Sequence, residues 1–203
     1  MIIKEEHLQV VFDQVKKVRG ELIRLNGGPE IPPVSLDDLI EAIQNLYGVQ
    51  IISRLVPLNS RLLRGMIEIY QNEAIITLDA SLNTPDSRYV FVKEACHILL
   101  LSAENATKDP ADIIEYYIHH TPTDDGPPPQ IICEEVTKHG SVELLFPPAL
   151  RKEAKDRIAS GKDTLFTIGE WLHIPETLVE YVLRDYYIDL SNRMSGVASE
   201  PER

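Results

Sequence analysis

Cysteine is nearly absent from this chain: Cys96 and Cys133 are the only two in 203 residues. Two cysteines make no disulfide framework, and a chain of this length buries a core without one, so the usage fits a reducing compartment. Positive charge is also short. Twenty Lys and Arg stand against 32 Asp and Glu, a net charge of −12, and no basic cluster collects anywhere along the chain. That balance argues against direct, salt-driven binding to nucleic acid, while leaving a basic protein partner open. Long apolar runs are missing too, and none approaches the ~20 residues of a membrane span. The opening segment MIIKEEHLQVVFDQV carries Glu5, Glu6 and His7 where a secretion signal needs an unbroken apolar stretch. The expectation is a cytoplasmic protein that makes no membrane contact.

What the chain does have is periodicity. Leu8, Val11, Val15, Val18, Leu22 and Leu25 recur at helical spacing and predict a helix over 6–25. NGGPEIPP (26–33) ends it and forms a linker. A second helix is predicted from Ser35, with Asp37 and Asp38 at its positive end and Gly48 as its stop. The period then changes. VQIISRLVPL (49–58) is short and β-branched, and 65–82 predicts two strands around a turn near Asn72 and Glu73. After a cap at Thr84 or Asp86, a mostly apolar helix is expected over 87–104. Further helices are expected at 110–120, 131–145 and 148–160, with a proline-rich loop at 121–130. Two short helices around HIPET should fill 164–190, ahead of a frayed tail.

The 87–104 helix holds the feature that bears on function. RYVFVKEACHILLL, Arg88 to Leu101, places Lys93, Glu94 and His97 in an otherwise apolar helix. His-Glu-x-x-His would put two imidazoles one turn apart with a glutamate beside them, as a zinc protease needs. Here Lys93 stands in the first imidazole's place. Taken alone, Glu94 and His97 at this spacing fit a hydrogen-bonded core pair as well as a site.

The order of elements, together with RYVFVKEACH and the later EEVTKHGSVELLFP, resembles the ImmA/IrrE-type metallopeptidases, cytoplasmic zincins that cleave helix-turn-helix repressors. The likeness runs over residues 33–190. It implies an α+β fold in which zincin-like helices surround a small, mostly antiparallel sheet of about three strands, with a helical C-terminal subdomain. It divides the chain into an N-terminal helix and linker (1–32), a zincin-like core (33–147), the helical subdomain (148–190) and a flexible tail (191–203). On the family's pattern Glu94 is the general base and His97 a zinc ligand. The last ligand falls thirteen residues before Pro147, on Glu134. The family's asparagine in that helix is Lys138 here.

A catalytic zinc usually needs three protein ligands and an open position for water. Lys93 removes a neutral donor and brings an ammonium that repels a dication. It is expected instead as a surrogate cation at the first-ligand position, neutralising Glu94 and Glu134. The favoured reading has no cofactor and no peptidase activity, a pseudoenzyme that acts by binding or regulating a protein, for which the resemblance suggests a helix-turn-helix repressor. Two alternatives remain open. One is an active zinc endopeptidase with an atypical site, in which His119, His120, His139, Cys96 or Cys133 replaces the missing ligand. The other is a structural accessory protein of a phage or mobile element. The simpler expectations are that both cysteines are buried thiols, that His119 and His120 decorate a helix end, and that Trp171, Tyr181, Tyr186 and Tyr187 pack the terminal helices.

Overall fold

In the computed structural model, residues 4–29, 32–60, 62–100 and 129–196 are described. Glu5–Asn26 form α1, whose side chains Leu8, Val11, Val15, Val18 and Leu22 are buried along one stripe, with Gly27 closing the helix in the left-handed conformation. Only that stripe can be buried, so the helix must lie against the body of the protein. It packs on α2 (Leu36–Tyr47) and on α4 (Pro129–Leu145), and its side chains join the hydrophobic core of the described residues. In α2, the Ser35 side chain accepts a hydrogen bond from the Asp38 N–H, satisfying one of the free donors at a helix start.

Three strands follow: β1 (Gln50–Val56), β2 (Gly65–Tyr70) and β3 (Glu73–Asp79). β2 and β3 form the expected hairpin, its register running from Tyr70 opposite Glu73 to Gly65 opposite Leu78. The turn occupies positions 71 and 72, slightly ahead of the expected position. β1, however, pairs with the far side of β3 in parallel, from Gln50 opposite Glu73 to Val56 opposite Asp79. The strand order is β1-β3-β2. The fold is α+β as expected, but its sheet is mixed where a mostly antiparallel one was anticipated. Alternation of apolar residues marks a strand without choosing its partner, which is why the direction of β1 was open.

Ala74, Ile76 and Leu78 of the central strand turn one face inward and are buried. Next comes α3 (Thr84–Leu99), lying between β2 and β3 on one side and α4 on the other. It starts earlier than 87, because Asn83, not Thr84 or Asp86, is the cap and accepts a hydrogen bond from the Asp86 N–H. Buried residues, including Phe91, Val92, Ala95, Cys96 and Ile98, spread over more than half of its circumference, and the remaining face, with Lys93 and His97, is partly buried. A helix enclosed in this way has little room for charge, so its Lys, Glu and His are conspicuous.

α4 crosses both α1 and α3. A Cβ on its Gly140 would lie 2.7 Å from Cγ2 of Val11 and 3.3 Å from Sγ of Cys96. Glycine is what lets the three helices approach so closely. Gly140→Ala is expected to cost about 1–3 kcal/mol by overpacking, visible as an earlier urea midpoint with an unchanged slope. The remaining helices are α5 (Pro148–Ala159), α6 (Leu165–Leu172), α7 (Glu176–Val182) and α8 (Asp185–Ser195). The segment expected as two helices over 164–190 is three, since α7 stops at Val182 and α8 starts at Asp185. α8 also continues past 190, with Ser191 and Met194 buried, so ordered structure extends into the expected tail.

Tyr187 is fully buried as expected, whereas Tyr186 is 54% exposed. Trp171 is partly buried against the core, and the Arg157 guanidinium lies 5.5 Å from its ring centre. The predicted 110–120 helix, the 121–130 loop for nearly its whole length, His119 and His120 fall outside the described residues. Among the described residues no helix is long and apolar enough to cross a membrane.

Candidate functional site

The sequence placed Lys93, Glu94 and His97 on one helix and Glu134 on another, and the structure brings all four together. Lys93 and His97 are four residues apart on α3, so both side chains leave the same face. That face meets the first half of α4. Lys93 Nζ donates to Glu134 Oε2 at 2.8 Å and pairs with Glu94 Oε1 at 2.9 Å. Its ammonium therefore bridges the two carboxylates. Glu94 itself is the most enclosed of the set, with 4% of its side chain exposed against 16% for Lys93, 16% for Glu134 and 13% for His97. Part of the reason is Gly65 at the start of β2: a Cβ there would lie 3.4 Å from Cγ of Glu94 and would overlap Val90. The bare glycine lets the strand close over this part of α3.

His97 completes the cluster. Its Nε2 lies 3.1 Å from Glu134 Oε1 and 3.8 Å from Glu94 Oε2. The Nε2 position makes no directed hydrogen bond, so these are contacts of charge. On the other side of the ring, Nδ1 is 3.5 Å from Sγ of Cys133.

Electrostatics favours the charged form of every group whose shift is defined. Burial works against the Lys93 ammonium, but Glu94 and Glu134 outweigh it and raise Lys93 above the usual lysine range. Burial likewise opposes a charged His97, and is outweighed by Cys133, Glu134 and Glu94, which raise the imidazole to about 9. For Glu134 burial favours the neutral acid, yet His97 and Lys93 hold its carboxyl down to about 2. At neutral pH the cluster thus holds two cations, Lys93 and protonated His97, against the Glu134 carboxylate and its neighbour Glu94.

These residues do not suit a catalytic zinc. Lys93 is protonated and hydrogen-bonded to the same carboxylates that would have to turn towards the metal, and one imidazole is left where two are needed. Among the described residues no three His, Cys, Asp or Glu side chains are grouped so as to hold a metal ion. His139 does not fill the gap: its ring stacks on Tyr187, with centres 5.6 Å apart and planes inclined by 3°. Burial lowers it to about 4, which suits a neutral ring inside the protein. Cys96 is fully buried beside Gly140, and burial pushes its thiol up. Lys138 pairs with Glu135.

No protein-family model matches the sequence, and no curated protein matches it.

A second buried polar group was not anticipated. Glu143 of α4 and Arg151 of α5 are each 2% exposed and joined at 2.7 Å through Arg151 Nη2 and Glu143 Oε1. Tyr187 of α8 donates its hydroxyl to the same oxygen at 2.9 Å. Arg151 also donates to the Phe146 carbonyl from Nε at 3.1 Å and from Nη2 at 2.8 Å. The available signal was Glu143 itself, set between Val142 and Leu144 in an apolar stretch, whereas RKEAK around Arg151 resembles an ordinary solvated helix face. This group ties three helices together.

Proposed function

We propose that this chain is a zincin-like protein that has exchanged its metal for side-chain cations and acts by binding a protein, not by cutting one. The observation that carries this reading is the position of Lys93 Nζ, 2.9 Å from Glu94 and 2.8 Å from Glu134. On the family's pattern these carboxylates are the general base and a ligand. A zinc ion would bring two positive charges to this spot, and Lys93 together with protonated His97 supplies the same number. An internal cation of this kind removes the need for the metal and blocks it at once. Glu94 paired to Lys93 has no metal-activated water to deprotonate, so the reaction that the resemblance implies loses its nucleophile. A pocket that keeps its shape but not its chemistry suits regulation by binding. By the same resemblance, the partner is a helix-turn-helix repressor.

Metal content tests the central claim. Protein purified without chelator is expected to hold far less than one zinc per chain. Lys93→His, which restores the second imidazole, is expected to gain close to one zinc, measured by elemental analysis. Cleavage of a helix-turn-helix repressor by the unmodified protein, abolished in Glu94→Gln, would overturn the reading.

A further inference from the structure

β1 lies at an edge of the sheet, and half of its backbone is turned away from β3. The Gln50 N–H donates to the Asn72 carbonyl, and the Val56 carbonyl accepts from the Ala80 N–H. Peptide groups alternate in direction along a strand, so Gln50, Ile52, Arg54 and Val56 face β3. Ile51, Ser53 and Leu55 then present theirs to the opposite side. Ile51 shows this directly, since its N–H donates to Oε1 of Gln44, on α2, at 2.8 Å. Beyond that contact, the N–H and C=O groups of Ser53 and Leu55 have no partner among the described residues. An open row of this kind is a template for another strand. Apolar side chains flank it on both faces: Leu55, 64% exposed, lies on the same face as its buried register partner Leu78, and Ile52, 39% exposed, lies on the other. The one charge on β1, Arg54, is drawn over the sheet, with Nε donating to Thr77 Oγ1 at 2.9 Å and Nη2 to Glu68 at 2.7 Å. Its Nη1 has no partner among the described residues.

We propose that β1 docks an extended acidic segment of a partner protein, which adds a fourth strand to the sheet. Charge selects this occupant. From Ala42 to Ile67 the sequence has Arg54, Arg61 and Arg64 and no Asp or Glu, in a chain with 32 acidic residues. A second copy would bring the same basic strand and a further net charge of −12. A flat anionic surface would leave the Ser53 and Leu55 backbone groups unpaired. An acidic strand meets no acid on β1, pairs with those groups, and gives Arg54 a second carboxylate. Its alternate side chains are apolar and cover Leu55, and those between are Asp or Glu beside Ile52 and Arg54. This edge is separate from the Lys93 cluster, because α3 packs on β2 and β3. The proposal therefore does not depend on how that cluster is read.

The probe is a fluorescein-labelled peptide, Asp-Val-Glu-Val-Asp-Val-Glu, titrated with the full-length protein and followed by anisotropy. The control is the same peptide with lysine at every acidic position. The acidic peptide is expected to bind at least about tenfold more tightly, because like charges beside Arg54 are disfavoured and opposite ones favoured. Ser53→Pro removes an edge N–H that the sheet itself does not use, so it is expected to keep the fold and weaken binding about tenfold. Leu55→Gln leaves the backbone intact and is expected to weaken binding at least about threefold through lost apolar cover. Circular dichroism checks that both variants are folded. The proposal is overturned if the acidic peptide binds no better than the lysine peptide, a comparison that needs no variant. It is also overturned if folded Leu55→Gln binds as the unmodified protein does. A concentration-dependent dimer in sedimentation that Leu55→Gln weakens would assign the edge to a second copy, and binding to phosphatidylserine vesicles alone would assign it to a membrane. Either result overturns the proposal.

Discussion

Replacing Arg151 by leucine is expected to destabilise the protein by about 3–5 kcal/mol, because it strands the Glu143 carboxylate in the interior. Both groups are 2% exposed, so solvent cannot move in to replace the guanidinium. The Tyr187 hydroxyl would remain as a donor to Glu143 at 2.9 Å, yet a neutral donor does not balance a buried charge. The two Arg151 bonds to the Phe146 carbonyl, at the turn between α4 and α5, would be lost as well. For a chain of this size the cost corresponds to a fall in Tm of roughly 6–20 °C. Glu143→Leu alone should be comparably damaging, since it strands Arg151 instead. The double replacement should be much milder than the sum, because it removes both buried charges together. Thermal unfolding of the two single variants and the double variant measures the coupling. Near-additive effects would mean that the pair contributes packing and little else.

How far the sequence alone reaches differs from one part of the molecule to another. The stripes of α1 and α2 were legible because each buries one face, and a single face leaves a period of 3.6. The hairpin was legible because its strands lie on either side of a two-residue turn. The parallel seat of β1 was not, because alternation of apolar residues marks a strand without encoding which neighbour it joins or in which direction. The division of the last segment into α7 and α8 was missed for a related reason. Val182 and Tyr187 are both buried, so apolar residues continue through the break at Leu183 and Arg184. At the site, Glu134 stands out only through the resemblance, which implies a ligand thirteen residues before Pro147, and its contact with Lys93 follows from the crossing of α3 and α4. The Cys133–His97 contact was not found. Adjacent residues on a helix usually serve different neighbours, and only the placement of His97 over α4 lets it touch both Cys133 and Glu134. The Glu143–Arg151–Tyr187 group depends on contacts between positions 8 and 44 residues apart, and no periodicity links residues at that range.

Lys93→Met is expected to cost several kcal/mol at neutral pH, since removing one partner of a buried charge set typically costs about 3–5 kcal/mol. Methionine keeps the length of the aliphatic stem, so the loss reports the ammonium and not the packing. The decisive feature is the pH dependence. In the unmodified protein Glu134 falls from 4.5 to about 2, so its contribution is complete above 4.5 and fades as pH falls towards 2. His97 rises from 6.5 to about 9, so its contribution is complete below 6.5 and fades as pH rises through 9. The two shifts describe one contact from either side and do not add. Together they place the most stable range between 4.5 and 6.5, with stability declining on both sides. Without Lys93, Glu134 keeps His97 as a partner but loses the ammonium that helps to hold its carboxyl down, so it should take up a proton at a higher pH than it does now. The deficit of Lys93→Met relative to the unmodified protein should therefore shrink as the solution is acidified below neutrality. Urea unfolding of both proteins across pH 4–8 follows that difference directly. A deficit constant across the range would identify Lys93 as a packing residue and remove the main support for a side chain standing in the place of a metal. A deficit that closes towards acid pH would mean that what Lys93 contributes to the fold is its charge.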